Sequence, residues 1–255
     1  MTARILTLVI VAGTAILSVR LWSSGLYRRY RVFFCYLIFS TLSQGVLGAI
    51  DQRSNAYEYI WVWTEPLVWL LSILVVLEIY ALVLQDYRGL STAGRWSLIA
   101  AVVIALLCST ISMMAPSQLT SQGHLMRTYY VTERAVNFSL AVFLLSILWF
   151  LLQYPITLSR NIIVHSLVFS VYFLSNTILY LLLSVRFFGK GSLAVVSYAS
   201  DAVTLAAVGA WLMFLTPAGE MRKQRLRPQW MPGREEVLVN QLNQLNAALL
   251  RAARK

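Results

Sequence analysis

Hydrophobic positions fill this chain in long runs broken by short polar connections. Seven runs, at 4–22, 32–50, 59–84, 96–115, 129–153, 161–185 and 192–216, occupy most of its 255 residues. A helix needs about 20 mostly apolar residues to cross a bilayer, and each run meets or nearly meets that length. The connections 51–58, 86–95 and 153–160 are turns, 187–191 is tighter still, and 116–128 leaves room for a small loop. The pattern predicts an all-α fold: an integral membrane seven-transmembrane-helix bundle over 1–219, with no soluble domain between spans and no internal repeat. The first run is expected to stay as a helix. Arg4 is the one charge ahead of it, the bulky basic stretch Leu26–Arg31 follows, and no small-x-small cleavage site lies at the junction. Pro66, inside the third run, removes a backbone hydrogen bond and is a place for a kink beside Glu65.

After the last run the periodicity changes. Residues 220–233 read as a basic juxtamembrane linker, irregular and lying along the inner membrane surface with Trp230 in the interface. Over 234–255 the leucines Leu238, Leu242, Leu245 and Leu249 recur at helical spacing. Glu235 and Glu236 at the start and Arg251, Arg254 and Lys255 at the end match the helix dipole. Two readings of this amphipathic segment stand open. It is a short coiled coil that makes a homodimer or docks a cytoplasmic protein partner, or a helix resting on the inner leaflet. Its Asn and Gln residues favour water over lipid.

Composition agrees with the pattern. The chain is 59% hydrophobic and 12% charged, about half the charge of an ordinary soluble domain. Its formal net charge of +11 does not point to nucleic acid, because eight of the 21 basic residues lie after Glu220 and most others flank the runs. The expected partner of such residues is the lipid bilayer and its anionic head groups. Counted over alternate connections, 15 Lys and Arg fall on the side of the tail and six on the other. The positive-inside rule therefore sets the N-terminus outside and the C-terminus in the cytoplasm, as in a bacterial inner (plasma) membrane. Cys35 and Cys108 fall at different depths and are expected to be buried free thiols, not a disulfide or a metal site.

Ionisable groups inside a span cost about 2.5–3.5 kcal/mol each on insertion scales, so each one is a functional candidate. Glu65 and Glu133 lie toward the outer side, Asp201 near mid-membrane, and Glu78 and His165 toward the inner. In the sixth run Asn161, His165, Tyr172 and Asn176 share one helical face; in the seventh, Ser197, Asp201, Thr204 and Trp211; in the fifth, Tyr130, Glu133 and Asn137. The stripes predict an outward-facing polar cavity lined by Glu65, Tyr130, Glu133, Asn137, Asn176 and Asp201, with Tyr57, Tyr59, Trp61 and Trp63 around its rim. Glu78, Asn161 and His165 form an inner coupling group, with Glu78 and His165 as its pair. The competing reading is ordinary hydrogen bonding between helices under an aromatic belt.

Several functions drop out. Lys190, Lys223 and Lys255 are the only lysines and none lies in a run, so a retinal Schiff base has no donor. Two histidines cannot build a His-rich metal site, no HExxH or G-x-S-x-G occurs, and no metal or cofactor is expected. Catalysis is not the favoured reading; a carboxylate-only intramembrane hydrolase is the residual enzymatic one. Bacterial seven-helix sensor regions are similar in topology and in the helix leaving the membrane, but no catalytic output domain is expected here. The favoured function is a sensor or signal-coupling protein that binds a small molecule or lipid in the cavity and acts through its C-terminal helix. A proton-coupled transporter using Asp201, Glu65 and His165 as a relay, or a membrane assembly or scaffold factor without a ligand, are the alternatives.

Overall fold

The computed structural model describes residues 2–50, 54–85, 124–153, 157–184, 192–221, 223–225 and 232–252, with isolated positions 90, 92, 96, 99, 100, 103, 104 and 107. Eight α-helices are delimited among them: α1 (Thr2–Ser23), α2 (Arg31–Ala49), α3 (Asn55–Val83), α4 (His124–Gln153), α5 (Arg160–Ser184), α6 (Ser192–Phe214), the short α7 (Pro217–Met221) and α8 (Pro232–Ala252). Two three-residue strands, β1 (Thr157–Ser159) and β2 (Lys223–Arg225), pair antiparallel, with Leu158 opposite Gln224.

Helices α1 to α6 are long and apolar enough to cross a membrane, and the chain is a helical membrane-type bundle. Of the expected fourth span, 96–115, only Trp96, Ile99, Ala100, Val103, Ile104 and Leu107 are described, all helical; the rest lies outside the described residues, as do Trp230 and Cys108. Each spanning helix packs on its neighbour in the chain, and α6 closes the ring against α1.

The faces follow from helical spacing. On α3, Val75, Val76, Ile79 and Val83 are buried while Leu67, Leu70 and Leu74 lie on the exterior. Outside is as apolar as inside, which suits a lipid solvent and leaves small and polar residues to make the helix contacts. Thr41 Oγ1 donates to Thr14 Oγ1 at 2.9 Å between α2 and α1. A Cβ on Gly13 would meet Val208 Cγ1 at 3.1 Å, so glycine lets α1 and α6 approach. Helix α3 runs through Pro66 without a break in its assignment. Cys35 is exposed on α2, a correction to its expected burial: it lies on the exterior face, where a thiol meets lipid as any small apolar group does.

After α1 the chain reverses through Gly25, whose φ of 73° is left-handed, into a 3₁₀ turn at Leu26–Arg28. Helix α2 then begins without a side-chain cap of its own. Its cap comes from α3: Glu78 Oε1 accepts from the Val32 N–H at 2.9 Å and Oε2 from the Phe33 N–H at 3.1 Å. The first amides of a helix have no partner within it, and a carboxylate there also complements the dipole.

Candidate functional site

Polar side chains gather in two layers. The layer far from the tail is built by α3, α4, α5 and α6. Glu65 stands ten positions into α3, Glu133 nine into α4, Asn176 eight before the end of α5 and Ser200 eight into α6. At 1.5 Å per residue these depths agree to within about 3 Å. Glu133 Oε1 accepts from the Tyr180 hydroxyl at 2.8 Å. Tyr129, one turn before Glu133, lies beside both Glu133 and Glu65, and Trp61 lies beside Glu65. The two acids are neighbours within the bundle. Glu133 Oε2 is buried with no partner among the described residues. The Tyr129 ring lies 4.2 Å from Trp61 and 5.5 Å from Trp69, centroid to centroid, so aromatic walls enclose the acids. Beside them Ser200 donates to Asn176 Oδ1 at 2.7 Å. Tyr57, at the start of α3, is pushed above its ordinary value by burial and then by Glu65.

Below this layer the bundle is filled with rings. Phe33, Phe169, Phe173 and Trp211 are buried, with Phe33 5.0 Å from Trp211 and 5.7 Å from Phe169. His165 lies in this packing, 4.3 Å from Phe33 and 4.9 Å from Phe169, and neither ring nitrogen has a hydrogen-bond partner among the described residues.

The tail-side layer centres on Glu220, in α7. Its Oε2 accepts from the Tyr30 hydroxyl at 2.8 Å, Ser159 Oγ at 3.3 Å and Asn161 Nδ2 at 3.4 Å, and its Oε1 pairs with Arg29 Nε at 3.1 Å. Asn161 Nδ2 also donates to the Thr216 carbonyl at 2.7 Å. Tyr30 is fully buried. Burial, and then the neighbouring Glu220 carboxylate, push its hydroxyl well above the ordinary tyrosine range. Gly219 is required here, because a Cβ would collide with Asn161 Oδ1 and come within 3.1 Å of Asn161 Cγ. The β1–β2 pairing, with Ser159 opposite Lys223, continues the clamp along the tail. Residues expected to be irregular therefore hold part of α7 and a strand.

The structure brings together Glu65 and Glu133, and it buries Asn137, Asn161, His165 and Asn176. Asp201 is half-buried, but Ser200, one position back, makes the contact to Asn176. The Tyr130 side chain lies outside the described residues, and Tyr129 lies beside the acids. Glu78 and His165 are not a hydrogen-bonded pair: Glu78 is engaged by α2 amides and His165 by aromatic rings. Tyr59 and Trp63 are on the exterior, whereas Trp61 turns inward. Tyr129 and Tyr180 are legible in the sequence, each four positions along the same helical face from Glu133 and Asn176. Glu220 carried no such signal. Among the described residues no group of three His, Cys, Asp or Glu could hold a metal. In the tail, Leu242 is buried, Leu238 and Leu249 partly so, and Leu245 is exposed.

No protein-family model matches the chain, and neither a curated protein nor a solved structure is detectably similar to it.

Proposed function

We propose that the chain is a seven-span inner-membrane sensor or signal-coupling protein, taking a small molecule or lipid into the outer polar layer and acting through its tail. The observation that carries this reading is helix α5. Asn176 and Tyr180 near one of its ends contact Ser200 and Glu133, and Asn161 at the other end contacts Glu220. From Asn161 to Tyr180 the helix rises about 28 Å. A ligand that displaces Tyr180 from Glu133 has a rigid element through which to move the clamp on the tail.

The seventh span is supported by parity. The end of α3 lies on the tail side, since Arg29 Nη2 donates to Gln85 Oε1 at 3.3 Å. The end of α4 leads into β1 on that same side. Helix α4 is about 45 Å long and so begins on the opposite face. A crossing between Gln85 and His124, for which the apolar run 96–115 has the length, would fit this parity. The positive-inside count gives the tail side as cytoplasmic.

The carrier reading draws less support. A relay from Glu65 and Asp201 to His165 would pass through Phe33, Phe169 and Phe173, and His165 has no proton-sharing partner among the described residues. The scaffold reading needs only the tail. Hydrogen exchange on the full chain in nanodiscs tests the coupling. Glu133→Gln and Tyr180→Phe should each change exchange at 157–159 and 223–225 by several-fold, and an unchanged clamp in both variants sinks the sensor reading.

A further inference from the structure

We propose that the corner between α1 and α2 is a docking site for one phospholipid with an anionic headgroup. The corner divides its three arginines. Arg29 turns inward to Glu220 and Gln85. Arg28 and Arg31 are exposed and held together, because Arg31 Nε donates to the Arg28 carbonyl at 3.2 Å. Arg31 also faces the Glu78 carboxylate, whose two oxygens are already engaged by the amides of Val32 and Phe33. Guanidinium groups bind phosphate through paired N–H donors, and among the described residues each of these two has only its Nε engaged.

Beside them stands an aromatic shelf. Trp22 stacks on Tyr27 at 4.7 Å with 17° between the rings, and Phe34 lies 5.9 Å from Trp22 and 5.8 Å from Tyr27. The Arg28 guanidinium sits 5.8 Å from the Tyr27 ring centroid, and its Nε donates to the Tyr27 hydroxyl at 3.2 Å. Trp22 is 60% exposed although it ends a packed helix. Amphipathic rings of this kind settle at the depth of lipid headgroups.

What selects a lipid over a soluble anion is the surface that leads away from the arginines. Val19 and Ile16 continue from Trp22 along α1, and Ile38 and Leu42 from Phe34 along α2, all exposed and apolar. The two helices pack side by side. Phosphate at the arginines, glycerol backbone against the rings and acyl chains along these strips would match the surface end to end.

The test is native mass spectrometry of the full chain, titrated with dioleoylphosphatidylglycerol or with dioleoylphosphatidylcholine. Phosphatidylglycerol should stay bound at roughly ten- to thirtyfold lower concentration, the preference that two interfacial arginines supply. Arg28→Gln/Arg31→Gln should abolish the preference. The charge-matched pair Arg234→Gln/Arg251→Gln should keep it, and Arg28→Lys/Arg31→Lys should reduce it without removing it. Trp22→Leu should weaken retention of both lipids. An equal loss in the two glutamine pairs would mean bulk charge and overturn the site. So would displacement of the lipid by millimolar inorganic phosphate, or the absence of any preference in the unmodified chain.

Discussion

Replacing Glu220 by alanine should release the tail from the bundle while leaving the spanning helices folded. The carboxylate accepts from Tyr30, Ser159 and Asn161 and pairs with Arg29. The Arg29 pair is partly exposed, at 39% and 22% of the two side chains, and such pairs are worth about 0–1 kcal/mol. The Tyr30 bond is the main contributor. It is the shortest of the set and charge-assisted, worth about 1.5–3 kcal/mol, and its loss strands a buried hydroxyl. The Ser159 and Asn161 contacts are long; Asn161 also donates to the Thr216 carbonyl, and Ser159 Oγ also accepts from the Ile162 N–H. The clamp should therefore weaken by about 2–4 kcal/mol, which is roughly 30- to 700-fold in its opening equilibrium. Hydrogen exchange reads this directly, since amides in β1 and β2 exchange through local opening. Protection at Thr157–Ser159 and Lys223–Arg225 should fall by that factor, with Val75–Ile79 in α3 unchanged. Exchange at β1 and β2 that matches the unsubstituted chain would refute the assignment of Glu220 as the clamp.

Three further outcomes follow from the same geometry. Tyr30 loses its proton less readily in the folded chain than in the unfolded one, so its share of stability is whole below about pH 10 and declines as pH rises above that value. Thermal melts should thus be flat from pH 7 to 9 and fall above 10, and Tyr30→Phe should flatten part of that fall; an equal fall in the variant would remove Tyr30 as its source. Gly219→Ala drives a methyl group into Asn161 and should cost about 1–3 kcal/mol by overpacking, read as a lowered Tm, and an unshifted Tm would count against the close approach. His165→Leu removes two buried nitrogens that have no partner among the described residues, a burial unfavourable by about 1–3 kcal/mol; the variant should melt no lower than the parent, and a marked fall would mean that His165 has a partner.

The spanning helices were legible because burial in lipid demands long apolar runs whatever their neighbours. The expected 32–50 and 161–185 lie within a residue of α2 and α5. The polar stripe of α5 was also legible, since Asn161, His165 and Asn176 follow helical spacing alone. The rotation of α6 by one residue, which favours Ser200 over Asp201, depends on how α5 meets it and has no local signature. In sequence Glu220 stands only at the head of a basic linker, because its partners lie 190, 61 and 59 positions away. The engagement of Glu78 by the α2 amides is hidden for a related reason. Depth along a span can be counted from sequence, but the amino end of another helix arriving at that depth cannot.

The cap that Glu78 lends to α2 carries a consequence for biogenesis. Val32 leaves the ribosome 46 residues ahead of the acid that will satisfy its amide. Helix α2 therefore meets the bilayer with its amino end unpaired, and α3 meets it with a carboxylate that is costly to insert alone. Each deficit is cancelled by the other, which favours release of α2 and α3 from the insertion machinery as a hairpin.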